Sequence, residues 1–291
     1  MTGRRVALVV DSGAALADRV DTGLAVVPMH VVIGDATLDG NADGEVYVRL
    51  RRGERATTST PSPGDYLAAF EGLAGRFEAI ICLTIPARWS GTFASASVAA
   101  ELFSGAGRAS TLDIVETPTA AVAYGLLARI ADAICEAGAD REAVLARVRR
   151  AGEEVRMYGA LETLEYVARS GRVPALVAGV SDALRVRPVF EMHGGGTGRV
   201  GLARTEGGVL RALERVARER LEVGRPHWLM LFHADAAQTA GRLRDRLVVA
   251  CEVDRDETVA LAAVIGVHTG PGAVGFAALP MREGDPPPAR G

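Results

Sequence analysis

Three stretches of this chain share one design. RRVALVVDSG near the N-terminus, FEAIICLTIP from Phe77 and LDIVET from Leu112 are short apolar runs that end in polar residues. Helical patterns lie between them. A buried strand that delivers polar residues to the start of a helix opens an α/β unit, and strands alternating with helices at this spacing dictate a parallel sheet covered on both faces. GLAVVPMHVVIGD adds one or two short strands, and DGEVYVRLRRGE a short helix closed by Gly53. ATTSTPSPG reads as a Ser/Thr-rich loop before a capped helix with Pro63 in its first turn.

The rhythm changes after about residue 155. RMYGALETLEYVARSGRV predicts a strand running into a short helix, and LRVRPVFEMHGGGTGRVGLART two strands joined by a glycine-rich hairpin. Two amphipathic helices, EGGVLRALERVARERLEVG and DAAQTAGRLRDRLVVA, flank the strand HWLMLFHA. ETVALAAVIGVHTGPGAVGFAAL predicts two apolar strands around the turn HTGPG, and REGDPPPARG a disordered tail. The fold class is therefore α/β with two domains: a doubly wound parallel sheet over residues 1–155 and a mixed α/β domain over residues 156–291.

Composition narrows the chemistry. With 48% hydrophobic and 24% charged residues in 291, the chain can bury a substantial core. A net charge of −3 and the lack of a basic patch interleaved with aromatics argue against a nucleic-acid partner. All 33 basic residues are arginine, which removes lysine as a Schiff-base amine, general base or P-loop phosphate ligand. Cys82, Cys135 and Cys251 form no CxxC pair and read as reduced thiols suited to the cytosol. The first apolar stretch stops at Asp11 after about five residues, too short for a signal-peptide core. No run approaches the roughly twenty apolar residues of a membrane span. A cytoplasmic protein without an integral membrane segment is expected.

Three polar turns carry the candidate chemistry: TTSTPSPG at 57–64, RWSGTF at 88–93 and HTGPG at 268–272. The first two lead toward helix N-termini, where free N–H groups favour an anion, and both follow strands whose carboxyl ends border one crevice in a sheet of this class. Hydroxyls in such places also serve as plain N-caps. Gly91, between Ser90 and Thr92, permits close approach of a ligand to the backbone. His268 stands alone among the histidines in a glycine-rich turn, and reads equally as a ligand contact or as part of a capped turn. No HExxH, paired acidic spacing or Cys/His cluster accompanies it, so no metal site is predicted. GxSxG is absent, and GGGTG at 194–198 has neither the spacing nor the lysine of a phosphate loop. These features suit a binding protein better than a self-sufficient enzyme.

VVDSGAAL, VVPMHVVIGD, TSTPSPGDY, SGTFASA, LETLEYVARSGRV, LRVRPVFEM and HTGPGAVG occur in this order along nearly the whole chain. In that series the chain resembles the DegV family, whose better-understood members are the fatty-acid-binding subunits of bacterial fatty acid kinase. The resemblance implies a long-chain fatty acid held in a tunnel, mainly in the second domain, with its carboxylate at the domain interface. Thr58, Ser59, Ser90, Gly91, Thr92, His268, Thr269 and Gly270 would hold that carboxylate, with Arg172 as a charge beside the site. Arg204 is assigned to partner docking. A separate kinase subunit would supply ATP and form the acyl phosphate, so no catalytic residue and no cofactor are expected on this chain. An imidazole at 268 can donate to a carboxylate, and its protonated form adds charge to that bond.

Four positions depart from the family pattern: Glu116 and Thr117 stand in place of Asp-Ser, Thr60 in place of glutamine, and Ser170 in place of the first glycine of GGR. Thr60 is expected to alter the fit of the head group, and the others to affect packing. Two other functions remain open at this level. One is a stand-alone small-molecule kinase-like enzyme related to dihydroxyacetone kinase; the other is a lipid-responsive regulatory sensor.

Overall fold

A computed structural model describes residues 3–40, 43–106, 110–178 and 186–286. In chain order the first elements are β1 (Val6–Asp11), β2 (Leu24–Val27), β3 (His30–Ile33), β4 (Ala36–Asp39), α1 (Asp43–Arg51), β5 (Ala56–Ser59) and α2 (Pro63–Leu73). Next come β6 (Ala79–Thr84), α3 (Thr92–Gly105), β7 (Thr111–Glu116), α4 (Ala121–Glu136), α5 (Arg141–Glu154), β8 (Arg156–Ala160), α6 (Glu165–Ser170) and α7 (Pro174–Val177). The chain ends through β9 (Arg187–His193), β10 (Gly196–Ala203), α8 (Glu206–Arg220), β11 (His227–His233), α9 (Ala237–Ala250), β12 (Val253–Ala260), α10 (Ala263–Thr269) and β13 (Val274–Pro280).

The expected α/β class is what the chain adopts. One sheet is parallel throughout, in the order β2-β1-β6-β7. Its two faces follow from the period of two along a strand. Ala7 and Val9 pack with Tyr66 and Phe70 of α2 and Phe103 of α3, whereas Val6, Leu8 and Val10 join a cluster that contains Leu126, Leu127 and Ile130 of α4. Strand order reverses direction at β1, which places a topological switch point, the usual ligand position in open parallel sheets, between β1 and β6.

A mixed second sheet runs β10-β9-β8-β13-β11-β12, parallel only between β11 and β12. Leu229 and Leu231 of β11 meet Leu213 of α8 and Leu243 of α9 on one face. Trp228, Met230 and Phe232 lie in the same cluster as α4 on the other. So α4 is wedged between two sheets, and the apolar residues all round it have a packing reason.

Four expectations are corrected. Ala56–Ser59 is a strand rather than a loop, pairing with β3 in the small antiparallel sheet β4-β3-β5; its β-branched threonines suit the pleated edge. Beyond Asp11, two short 3₁₀ turns, Ser12–Ala14 and Val20–Thr22, take the place of the expected helix. The run before His268 is α10, since a short buried apolar run cannot be told from a strand by periodicity. At the C-terminus, Arg147 pairs with Asp285 at 2.8 Å and Arg282 with Glu154, so residues 282–286 are docked; residues 287–291 lie outside those described. The glycine hairpin forms as expected, with Gly194 and Gly195 at φ of 54° and 77° in the two-residue turn.

Gly275 of β13 lies opposite Gly159 of β8, and a Cβ on it would sit 2.2 Å from the Tyr158 carbonyl oxygen and 2.5 Å from the Gly159 Cα. Gly275→Ala is expected to lower unfolding stability by about 3 kcal/mol or more. At Gly72, on the exposed side of α2 where a Cβ would meet nothing, Gly72→Ala is expected to raise it by about 0.5–1 kcal/mol. Urea midpoints at unchanged slope measure both.

Candidate functional site

A cleft of about 860 Å³, counting its mouth, opens between the two sheets. Its walls are mostly apolar. Met29, Ile85, Ala120 and Ala121 come from the first half of the chain, and Met157, Leu161, Leu176, Phe190 and Met192 from the second. Trp89, Val167, Val173 and, from α10, Val264 and Ile265 line it as well. The floor is made where α4 begins. Ala120 provides no side-chain cap there, and Ala121 adopts φ of 54°, a left-handed conformation that is strained for alanine.

The polar groups of the lining are Thr58, Thr60, Ser90, Ser170, Arg172, Thr197, His268 and Thr269. Each is delivered by a short element. Thr58 projects from β5, opposite Val31 of β3. Ser90 precedes α3, and its Oγ accepts from the Thr92 backbone N–H at 3.3 Å. Gly171, at φ of 64°, ends α6 and turns Arg172 back toward the cleft. His268 and Thr269 form the last turn of α10. Gly270 closes that helix with φ of 77°, and Tyr166 packs so tightly against it that a Cβ would lie 2.1 Å from the ring.

Three of these side chains form a directed chain of hydrogen bonds. Arg172 Nη1 lies 3.1 Å from His268 Nδ1, and His268 Nε2 lies 3.1 Å from Thr58 Oγ1. A guanidinium has only donors, so His268 Nδ1 accepts. The ring proton is therefore on Nε2 and is donated to Thr58 Oγ1. Burial, with the Arg172 charge second, pushes the His268 pKa down to about 4 and keeps the imidazole neutral. Positive charge at this site thus resides on Arg172, and of the two imidazole forms considered from the sequence His268 takes the neutral one. The Thr58 oxygen already accepts from His268, which leaves its own hydrogen for an acceptor in the cleft. The Ser90 hydroxyl is in the same position, its oxygen accepting from Thr92.

Arg172 is held by Trp89, whose carbonyl accepts from Nε at 2.9 Å, while the Arg88 guanidinium covers the Trp89 ring at 4.7 Å. Among the ion pairs of the described residues, none involves Arg172. The cation is half-buried, and desolvation lowers its pKa. Trp89 was not among the expected site residues, although it sits inside the RWSGTF turn; a role played by its backbone carbonyl leaves no mark in side-chain chemistry.

Of the other expected residues, Ser59, Gly91, Thr92 and Gly270 do not line the cleft. Thr92 is fully buried, and Gly91 packs against Thr60, to whose Cγ2 a Cβ would come within 3.5 Å. Arg204 is exposed between β10 and α8. Ser170 lines the cleft as well as packing: it donates to the Val167 carbonyl at 2.9 Å and accepts from the Arg172 backbone N–H at 3.3 Å. Thr117 donates to the Thr84 carbonyl at 2.9 Å, and Glu116 accepts from the Ala87 N–H at 2.7 Å, so both shape the turn from behind.

A second cleft, of about 1020 Å³ with its mouth, shares Thr58, Ser170, Arg172 and His268 with the first, and adds Arg55 and Arg169. The hydrogen-bonded chain is thus a wall between an apolar space and a polar one. Among the described residues no group of three or more His, Cys, Asp or Glu is placed to hold a metal ion, and no helix is long and apolar enough to cross a membrane.

A depressed histidine pKa has a sign that can be measured. Unfolded, His268 titrates near 6.5, and folded near 4, so its contribution to stability is whole above pH 6.5 and is lost as pH falls toward 4. The melting temperature of the ligand-free protein is expected to fall relative to that of His268→Gln across this window, and to run parallel to it above pH 7.

Residues 5–281 match the family model described as "Uncharacterised protein, DegV family". A DegV domain-containing protein of Streptomyces coelicolor is 33% identical over 290 residues, covering 94% of this chain and 97% of that one. The solved structure of a DegV family protein from Thermus thermophilus, described for its fatty acid binding, has a TM-score of 0.87 and 28% identity over 95% of this chain and 100% of its own. A DegV lipid binding protein from Thermotoga maritima shares the fold, with a TM-score of 0.83 and 24% identity over 96% and 99% of the two chains. The motif series, the two-sheet architecture and these matches agree: the chain belongs to the DegV family.

Proposed function

We propose that this cytoplasmic protein binds one long-chain fatty acid and presents its carboxylate to a separate ATP-dependent kinase subunit, which converts it to an acyl phosphate. One observation carries the reading: a half-buried arginine with no carboxylate partner among the described residues stands among the polar groups of an otherwise apolar cleft, beside two hydroxyls whose oxygens are already engaged. A partly desolvated cation that no carboxylate neutralises is costly, and an anionic head group with an apolar tail suits both the charge and the apolar walls of the cleft. The fatty acid binding described for the Thermus thermophilus relative supports the same ligand class.

In this reading Arg172, Thr58 and Ser90 hold the carboxylate, and His268 fixes Thr58. Ser59, Gly91, Thr92, Thr269 and Gly270 keep those groups in position. The tail supplies most of the gross attraction: roughly fourteen methylenes at about 0.8 kcal/mol each amount to on the order of 11 kcal/mol before the costs of association. Phosphoryl transfer needs a nucleotide, Mg²⁺ ligands and in-line geometry. A chain with no lysine and no phosphate loop is better suited to offering the acceptor than to holding ATP. The polar cleft on the far side of the Thr58–His268–Arg172 wall gives the donor a route to the carboxylate, and Arg204 is the residue assigned to docking the partner.

Denaturing extraction of the purified protein should release a stoichiometric acyl chain, and oleate should raise the melting temperature of lipid-stripped protein. Arg172→Met should weaken oleate binding by about 10- to 100-fold, the loss of one charge-assisted hydrogen bond. His268→Ala should leave retention largely intact yet slow acyl-phosphate formation with the kinase subunit, because a carboxylate displaced by about 1 Å loses its alignment. An extract without lipid, together with no thermal shift, sinks the reading. The homogeneous protein should turn over no ATP with a fatty acid or a small ketone; measurable turnover would favour the stand-alone kinase.

A further inference from the structure

The carboxyl ends of β1 and β6 bury more polar atoms than the protein pairs. Asp11 closes β1 and Thr84 closes β6. The β1–β6 register is paired as far as Val9 and Cys82, and the alternation along each strand puts Asp11 with Ala7 and Val9, and Thr84 with Ile80 and Cys82, on the face covered by α2 and α3. Tyr66 of α2 packs on this face, and Thr92 opens α3; all four residues are fully buried. Among the described residues, Asp11 Oδ2, Tyr66 OH, Thr84 Oγ1 and Thr92 Oγ1 have no hydrogen-bond partner within the protein.

The neighbouring polar groups are already engaged. Asp11 Oδ1 accepts from the Gly13 N–H at 2.9 Å. The Tyr124 hydroxyl accepts from the Asp11 N–H at 3.2 Å and donates to the Leu83 carbonyl at 2.8 Å. Asp11 is close enough for its charge to raise the pKa of the Tyr66 hydroxyl and of the Cys82 thiol, in each case second to burial. None of the four residues lines the apolar cleft.

We propose that Asp11, Tyr66, Thr84 and Thr92 enclose an internal hydration site, in which one or two ordered water molecules bridge their four orphaned oxygens. Water fits the chemistry. It needs two to four polar partners, and both donates and accepts, as do three hydroxyls facing a carboxyl group. A metal ion fits less well, since the site has a single carboxylate and lies at the positive end of α3. Burial pushes the Asp11 carboxyl up to about 7, so this group too can carry a proton to share with the water. The site has a consequence for the cleft: Thr92 donates its backbone N–H to Ser90 Oγ, so water that fixes Thr92 also fixes the direction of the Ser90 hydroxyl.

The test turns on a sign. Thr84→Val and Thr92→Val each keep the side-chain shape and delete one hydroxyl. Removing a bare orphan from a core raises stability, whereas removing a ligand of a buried water lowers it, here by roughly 2–4 °C in melting temperature. A high-resolution crystal structure of the unaltered protein should show spherical density within about 2.6–3.2 Å of at least three of the four oxygens. That density decides the matter even if a variant fails to fold. A site empty of density together with stabilised valine variants overturns the proposal. So does density that gains an anomalous signal after a rubidium soak, which would make it a cation site.

Discussion

Helix α4 is the piece on which the rest of the molecule leans. Nearly every residue from Ala121 to Cys135 is buried, a pattern that a helix can sustain only with apolar partners on all sides. The parallel sheet supplies Leu8 and Ile81, and the mixed sheet supplies Met157, Met230 and Ala277. Close approach is written into Gly125, where a Cβ would stand 2.5 Å from the Ala14 carbonyl oxygen. Two charged residues are sunk into this helix: Asp132, matched by Arg4 at 2.8 Å and by Arg19, and Arg129, matched by Glu257 at 3.0 Å. Two sheets clamped on a common helix leave a gap where that helix starts, and the cleft opens there.

Charge in the cleft is organised by a single residue. Arg172 donates to His268, which sets the imidazole tautomer, and that tautomer sets which way the Thr58 hydroxyl points. The order matters because each step removes a freedom: a guanidinium cannot accept, and a neutral imidazole with one nitrogen engaged has one direction left. Lysine at 172 would keep the charge but not the fork that reaches both the Trp89 carbonyl and the ring. Glycines finish the arrangement. Gly171 turns Arg172 inward, and Gly270 lets Tyr166 close over the end of α10.

Much of this was legible in the residues. Alternating apolar runs and helical spacing specify a covered parallel sheet, because a strand buried on both faces has no other use. The Ser62 capping box on α2 and the two-glycine hairpin also follow from local chemistry, for the caps and positive φ values they need are properties of neighbouring residues. Ser90 and His268 were found as candidates because hydroxyls and imidazoles beside glycine are unusual enough to notice. The sequence also determines that the chain has no lysine with which to grip a nucleotide.

Tertiary structure alone decided the rest. Whether ALAAVIGVHTG is strand or helix depends on what it packs against: Gly266 accommodates Tyr47, to whose hydroxyl a Cβ would come within 2.2 Å, and that contact joins α10 to a helix more than 200 residues away in the chain. The tautomer of His268 depends on an arginine 96 residues distant, and the role of Trp89 on a backbone carbonyl whose partner no periodicity can name. The same holds for Asp11, Tyr66, Thr84 and Thr92, four ordinary residues in four separate elements. Local propensity is read from neighbours along the chain, but charge, burial and hydrogen-bond direction belong to neighbours in space, and only the fold says who they are.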